Sequence, residues 1–305
     1  MGERGVDLGP VRHELLVRPA VLAAEQSDGL DHGAFPPASC LVSGMLRLIA
    51  IAFVLLGVGP AFGQSVSFPS VTVGSSQGGT EVKGWVYKPS GNGPFAAIIL
   101  AHSCSGVSAH TEVWAKLLVS WGYLVLAPDS FGPRGTKAVC TTPGTVTPNM
   151  RVADVAGALD YLATRPDVMK GKVGIIGHSH GGSTAIRSSQ QVFALNKRGL
   201  AAAVAYYPGC NPQLDTGIDV PLLLLAGDKD DWTPADRCRN MVSGQKRGGL
   251  VDAVYYPNAY HSFDNKQPDR TVPGAAGKQH RLVYDSVGAP DAEARTKAFF
   301  ARYLR

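Results

Sequence analysis

The sequence predicts an α/β protein built on a mostly parallel, doubly wound sheet that carries helices on both faces. Short, continuously apolar runs alternate along the chain with segments of helical periodicity, as expected for parallel strands that are buried on both sides. One of these runs, residues 172–176, leads directly into the pentapeptide 177–181, Gly-His-Ser-His-Gly, and then into a helix-compatible stretch. In a sheet of this kind the functional groups lie at the carboxyl ends of the strands.

The order of the elements follows from these runs. An alternating segment at residues 80–87 is typical of an antiparallel strand, and the Gly-, Pro- and Thr-rich stretch 129–148 is a long connection. The other predicted strands are 95–101, 123–128, 172–176, 200–206, 221–226 and 253–256. The predicted helices are 112–120, 152–163, 182–186, 235–242 and 291–303. Together these elements predict a single domain over residues 64–305.

The first sixty residues divide into two parts. Residues 1–44 have no sustained apolar period, and we expect them to lie outside the native protein or to be disordered. A different pattern begins at Met45, where one positive charge at Arg47 precedes the almost wholly apolar residues 48–58, and small residues follow up to Gly63. This pattern predicts a signal peptide over residues 45–63.

Cleavage of that segment would start the mature protein at Gln64, in the periplasm or outside the cell. A permanent membrane anchor is the alternative, but the apolar run is shorter than the roughly 20 residues that span a bilayer. We therefore expect no stable membrane anchoring after cleavage. The formal net charge is +5 at pH 7, and the basic residues form no dense run, so the sequence does not favour nucleic-acid binding.

The cysteines indicate disulfides. The chain has five, and Cys40 falls in the segment that is expected to be absent, which leaves an even number in an exported protein. Cys104 and Cys140 follow two neighbouring strands of the doubly wound order, and Cys210 and Cys238 follow another neighbouring pair. We therefore predict the bonds Cys104–Cys140 and Cys210–Cys238. None of the spacings matches a zinc site, and no metal is expected.

The pentapeptide has the G-x-S-x-G pattern of a nucleophile elbow, a sharp strand-to-helix turn that presents a serine hydroxyl above the sheet. Ser179 is the candidate nucleophile. Gly177 and Gly181 are required because a Cβ at either position would press the strand against the helix that crosses it. The backbone N–H of His180 would then face a developing oxyanion.

A candidate acid and base follow the next strands. Residues 227–234 leave the strand 221–226 and contain three aspartates, of which Asp230 is favoured over Asp231 because it can bend back toward the base, while Asp228 can be a turn residue. His261 leaves the strand 253–256 and is the candidate base. The chain order Ser, Asp, His is that of the α/β-hydrolases.

Three motifs together resemble the dienelactone hydrolase family over residues 80–304: the elbow, the Gly-x-x-Asp-x-x-x-Pro stretch 227–234, and Tyr-His-Ser-Phe at 260–263. The loop 102–106, His-Ser-Cys-Ser-Gly, is similar to the family's first loop, which often reads His-Gly-Cys-x-Gly. The resemblance implies an α/β-hydrolase fold and a reaction that requires no cofactor. It implies a triad of Ser179, Asp230 and His261, with backbone N–H groups of His180 and Cys104 as the oxyanion hole.

The sequence also departs from that family. True dienelactone hydrolases have cysteine in the elbow and an acidic residue near it in the first loop, whereas this chain has Ser179 and no acid in residues 102–106. These differences favour hydrolysis of general carboxylic esters, with lactones as a related class, over the dienelactone itself.

The expected partner is therefore a small-molecule ester. A peptidase or amidase on the same fold, and a secreted binding protein without turnover, are the alternatives. Three further residues are candidates for substrate contact: Arg134 as an anchor for a carboxylate, His102 and Trp232. A structural role is the favoured interpretation of Arg134, and His102 is expected to shape the oxyanion loop. The sequence does not define the oligomeric state.

Overall fold

The computed structural model describes residues 63–245 and 249–305. Eight strands form one sheet, in the spatial order β1-β2-β4-β3-β5-β6-β7-β8, with β3 to β8 parallel and β1 and β2 antiparallel to their neighbours. The strands are β1 Gln64–Pro69, β2 Glu81–Tyr87, β3 Phe95–Ala101, β4 Leu124–Asp129, β5 Val168–His178, β6 Leu200–Tyr206, β7 Leu222–Gly227 and β8 Val251–Tyr256. The predicted α/β architecture is confirmed.

Five helices cover the two faces of the sheet. They are α1 Ala109–Ser120, α2 Pro148–Thr164, α3 His180–Ser188, α4 Ala235–Ser243 and α5 Gly288–Leu304. Helices α1 and α5 pack on one face through side chains such as Trp114 and Phe300, and α2, α3 and α4 pack on the other through side chains such as Val155 and Met241. In β3 the neighbours Ile98 and Ile99 point to opposite faces and are both fully buried, which explains why the central strands are continuously apolar.

The structure extends or adds several elements. Helix α2 begins four residues before the predicted start, because Thr147 accepts a hydrogen bond from the Met150 amide at 3.3 Å and Pro148 occupies the first turn. Strand β1 and an antiparallel hairpin, β9 Arg270–Pro273 and β10 Gln279–Leu282, were not predicted. The hairpin strands have four residues each and are largely polar, so they carry little apolar periodicity.

Each disulfide joins two segments that follow neighbouring strands of the sheet, and Cys238 lies in α4. Cys104 bonds to Cys140 with a Cα–Cα distance of 4.9 Å, and Cys210 bonds to Cys238 with a distance of 5.0 Å. This is the pairing that the strand order predicts. By restricting the unfolded chain, each bond contributes about 3 kcal/mol to stability.

The predicted leader and the segment before it, residues 1–62, lie outside the described residues. Within the described part of the chain, no helix is both long and apolar enough to cross a membrane.

The turn between β5 and α3 leaves no room for side chains at its two glycines. A Cβ on Gly177 would lie 2.0 Å from the carbonyl oxygen of Gly181, and a Cβ on Gly181 would lie 2.0 Å from that of Ala101. Strand, helix and the neighbouring strand therefore approach at backbone distance, and Ser179 between the glycines has φ +55° and ψ −113°.

We expect Gly177→Ala to lower the free energy of unfolding by about 3 kcal/mol, because backbone atoms that cannot move aside would clash with the new methyl group. Urea unfolding followed by circular dichroism measures the change. Gly144→Ala is the matched control, since a Cβ there meets no atom within 4 Å. Equal midpoints for the two variants would contradict the close approach seen at Gly177.

Candidate active site

Three side chains predicted to act together lie at the carboxyl ends of neighbouring parallel strands. Ser179 follows β5, Asp230 lies in the loop after β7, and His261 lies in the loop after β8. His261 Nε2 is 2.9 Å from Ser179 Oγ, and His261 Nδ1 is 2.8 Å from Asp230 Oδ2. All three residues are buried, so the chain of hydrogen bonds is shielded from bulk water.

Asp230 is held as a carboxylate. Its Oδ1 accepts hydrogen bonds from the amides of Trp232 and Thr233, both at 2.8 Å, and its Oδ2 accepts one from the Thr233 hydroxyl. Burial alone would raise the pKa of Asp230, but the neighbouring His261 and these hydrogen bonds outweigh burial and lower that pKa. The carboxylate therefore fixes the tautomer in which His261 Nδ1 carries a proton and Nε2 can accept one from Ser179.

The other two aspartates of this loop have different partners. Asp231 Oδ1 lies 3.3 Å from His280 Nδ1, and its side chain is about half exposed. Asp228 pairs with Arg239 at 2.6 Å. Neither contact involves His261, so of these three aspartates only Asp230 contacts His261.

The two amides expected to form the oxyanion hole belong to the residue after Ser179 and to the loop after β3. His180 is the first residue of α3, where backbone N–H groups have no partner within the helix. Cys104 lines the same cavity as Ser179. Its carbonyl oxygen accepts a hydrogen bond from the Val139 amide at 2.7 Å, and the Cys104–Cys140 bond holds the same loop covalently.

Arg151 connects these two backbone segments, a role that no motif in the sequence indicates. Its guanidinium is almost fully buried, donates to the carbonyl oxygen of His102 at 3.0 Å and lies 2.9 Å from His180 Nδ1. Burial lowers the pKa of Arg151 to about 10 and that of His180 to about 3. At neutral pH His180 is therefore neutral, and its Nδ1 accepts the hydrogen bond from the arginine.

Two of the three candidate substrate contacts have structural partners, as the favoured interpretation of each expects. Arg134 forms a bidentate pair with the buried Asp154 at 2.8 and 2.9 Å and also donates to the Ser130 carbonyl, so it does not reach the cavity. His102 is buried too. Its Nδ1 donates to the Ser103 carbonyl at 2.9 Å, and its Nε2 accepts from the Ser130 amide. Burial lowers the pKa of His102 well below its usual value, so this neutral ring shapes the loop instead of binding a substrate.

The third expected contact, Trp232, does line the cavity above Ser179. Its ring stacks on His280 of β10, with centroids 4.6 Å apart. The cavity has a volume of about 630 Å³, and the hairpin closes one side of it through residues that include Arg270 and Leu282. This side of the cavity was not predicted from the sequence, because the hairpin was not predicted.

Tyr207, at the end of β6, is a further residue that the sequence analysis did not identify. Its ring contacts the His261 ring edge to face, with centroids 4.8 Å apart, and its hydroxyl donates to Asp264 Oδ1 at 2.7 Å. The backbone φ of Tyr207 is +35°, a region that side chains other than glycine rarely adopt. Its position directly after a buried strand was the available signal.

Comparison with known proteins agrees with this architecture. The sequence model of the dienelactone hydrolase family matches residues 82–304. A putative carboxymethylenebutenolidase of Yersinia pestis is 26% identical over 206 residues, which cover 61% of this chain and 75% of that protein. Cutinase 2 of Thermobifida cellulosilytica is 24% identical over 157 residues, which cover 50% of this chain and 54% of the cutinase.

Solved structures show the same fold. The crystal structure of a putative dienelactone hydrolase from Klebsiella pneumoniae superposes with a TM-score of 0.61 at 22% identity, over 79% of this chain and all of that one. The family model covers well over half of the sequence. The chain therefore belongs to the dienelactone hydrolase family of the α/β-hydrolase superfamily, a family of ester-acting hydrolases.

Proposed function

We propose that this protein is a secreted serine hydrolase that cleaves carboxylic esters through an acyl-enzyme. The observation that supports this most directly is the continuous hydrogen-bonded path Ser179–His261–Asp230, with distances of 2.9 and 2.8 Å, at the base of the cavity. A nucleophile, a base and an orienting carboxylate in this geometry are the groups that acyl transfer requires.

In the proposed reaction Ser179 Oγ attacks the ester carbonyl carbon while its proton passes to His261 Nε2. The negative charge that forms on the carbonyl oxygen faces the N–H groups of His180 and Cys104. Collapse of this intermediate breaks the bond to the alcohol oxygen, which takes the proton from His261. Water then attacks the acyl-enzyme by the same route, so that a carboxylic acid and an alcohol are released and Ser179 is restored.

The composition of the site favours plain esters over a dienelactone. The attacking atom is a serine oxygen, and the loop 102–106 carries no acid. Arg270 is the one Lys, Arg, Asp or Glu among the described residues that line the cavity, so most of its wall is uncharged and suits a neutral ester.

We expect the purified protein to hydrolyse p-nitrophenyl esters and to cleave an aminoacyl-anilide far more slowly. Ser179→Ala should lower kcat for the esters by at least about 10⁴-fold, because it removes the attacking oxygen. A p-nitrophenyl series of rising acyl length, read by absorbance, tests both statements. Preference for the anilide would indicate a peptidase or amidase, and no turnover of either substrate by the wild type would indicate a binding protein.

The two neighbouring aspartates provide a matched test of the orienting group. Asp230→Asn should reduce kcat by about 10³–10⁴-fold, because an amide at this position favours the wrong tautomer of His261. Asp231 is the next residue in the chain, but its side chain pairs with His280. Asp231→Asn should therefore retain nearly full activity. The reverse ranking in the same ester assay would assign the orienting role to Asp231.

Two observations support export. Four cysteines of the domain form two disulfides, which are typical of oxidising compartments. In addition, β1 begins at Gln64, so cleavage after Gly63 would remove no part of the sheet.

When the full chain is expressed in a bacterium, we expect the exported product to begin at Gln64, in part cyclised to pyroglutamate. Mass spectrometry of the intact protein and of its N-terminal peptide measures this. Ala61→Arg, which places a large charged side chain where signal cleavage needs a small residue, should leave the leader attached. A cytosolic product that begins at Met1 would refute export.

A further inference from the structure

A second cluster of polar side chains lies behind the proposed triad, and the proposed reaction does not use it. His110 lies in the first turn of α1, His178 is the last residue of β5, and Asp264 lies in the loop after β8. His110 and Asp264 are 154 residues apart in the chain, so no local spacing in the sequence reveals the cluster.

The three side chains converge on one point. Asp264 Oδ2 is 2.8 Å from His110 Nε2 and 3.5 Å from His178 Nε2, and the three atoms all lie within 4.8 Å of one another. In a tetrahedral zinc site, metal–ligand distances of about 2.0–2.2 Å place neighbouring ligand atoms roughly 3.3–3.5 Å apart. Side-chain shifts of about 1 Å would therefore bring all three atoms to coordination distance of one ion.

The carboxylate is already oriented by groups around it. Trp114, one turn after His110 on α1, donates its indole N–H to Asp264 Oδ2 at 2.7 Å, and the Tyr207 hydroxyl donates to Oδ1 at 2.7 Å. A carboxylate oxygen has two lone pairs, so Oδ2 can accept from Trp114 and bind a metal ion together. Hydrogen bonds of this kind, which hold a ligand in place, accompany metal sites in general.

His178 supplies an independent observation. Its side chain is 2% exposed, and its Nε2 is a buried atom with no hydrogen-bond partner among the described residues. A plain ion pair between His110 and Asp264 leaves this nitrogen unsatisfied, which is unfavourable in a protein interior. A metal ion beside Asp264 Oδ2 would be coordinated by the lone pair of His178 Nε2.

The cluster can be reached from the surface. His110, Trp114 and Asp264 line a cavity of about 620 Å³ beside α1 and α5. Ser179 does not line this cavity, although His110 also borders the cavity that holds Ser179. The cavity provides a path for an ion and room for water in a fourth coordination position, while His178 closes the site from the inside.

We propose that His110, His178 and Asp264 bind a divalent transition metal ion, for which Zn²⁺ is the best match to two imidazole nitrogens and one carboxylate oxygen. The bound ion would stabilise the arrangement of α1, β5 and the loop after β8. The proposal does not depend on the proposed esterase activity, because none of the three residues belongs to the Ser179–His261–Asp230 path.

The test is a calorimetric titration. The full chain is first freed of metal with EDTA, and Zn²⁺ is then added to it. We expect one ion per chain and an affinity that falls at least about 10-fold in His110→Ala, a partly exposed position where the fold should tolerate the change. His280→Ala is the matched control, because the contacts of His280 with Asp231 and Trp232 include none of the three proposed ligands, and the affinity should stay unchanged. Ser179→Ala should also bind normally, which separates this site from the proposed triad.

A second measurement does not depend on any variant. Co²⁺ added to the metal-free wild-type chain should give the intense visible absorption of a tetrahedral site, and X-ray absorption should show two imidazole ligands. Three results would each overturn the proposal. They are equal Zn²⁺ affinity in the wild type and His110→Ala, loss of Zn²⁺ binding in Ser179→Ala, and a Co²⁺ spectrum of an octahedral aqua ion.

Discussion

The close approach of three backbone segments at Gly177 and Gly181 determines where everything else in the site can be. Because no Cβ separates them, β5, the start of α3 and the end of β3 meet at carbonyl contact. This contact forces the residue between the glycines into an unfavourable backbone conformation and lifts Ser179 above the sheet. It also sets the first turn of α3 next to the loop after β3.

Several buried side chains carry charge in the neighbourhood of Ser179. Asp230 and Asp264 are two buried carboxylates on either side of His261 and Tyr207, and each is kept ionised by several hydrogen-bond donors. Arg151 is a buried cation that contacts the two backbone segments that carry the proposed oxyanion amides. A charge developing on a substrate oxygen would therefore meet fixed dipoles and fixed charges instead of mobile water.

Much of this arrangement was accessible from the sequence, because parallel strands bring their carboxyl ends to one edge. The positions of Ser179 and His261, and the pairing of the cysteines, follow from strand order alone. Asp230 and Asp231 could not be separated with certainty in this way, since they are adjacent in the sequence and only the contacts with His261 and His280 distinguish them. The structural role favoured for Arg134 could be named only in general terms, because its partner, Asp154, lies 20 residues further on in α2.

The same reasoning explains what was missed entirely. Arg151 and Asp264 act through partners on other elements, and no spacing in the chain predicts such contacts. The hairpin was missed for a different reason, since its strands have only four residues each and carry few apolar side chains.

That hairpin has a consequence for how this protein can change over evolutionary time. Its two strands stand outside the main sheet and meet the catalytic loops at two places, the bridge between Leu282 and His261 and the stack of His280 on Trp232. Its other residues form one wall of the cavity and carry little of the domain core. Insertions and substitutions between residues 270 and 282 can therefore alter which molecules enter the cavity at little cost to folding, so that new substrate ranges can arise in this segment while the sheet and the elbow stay the same.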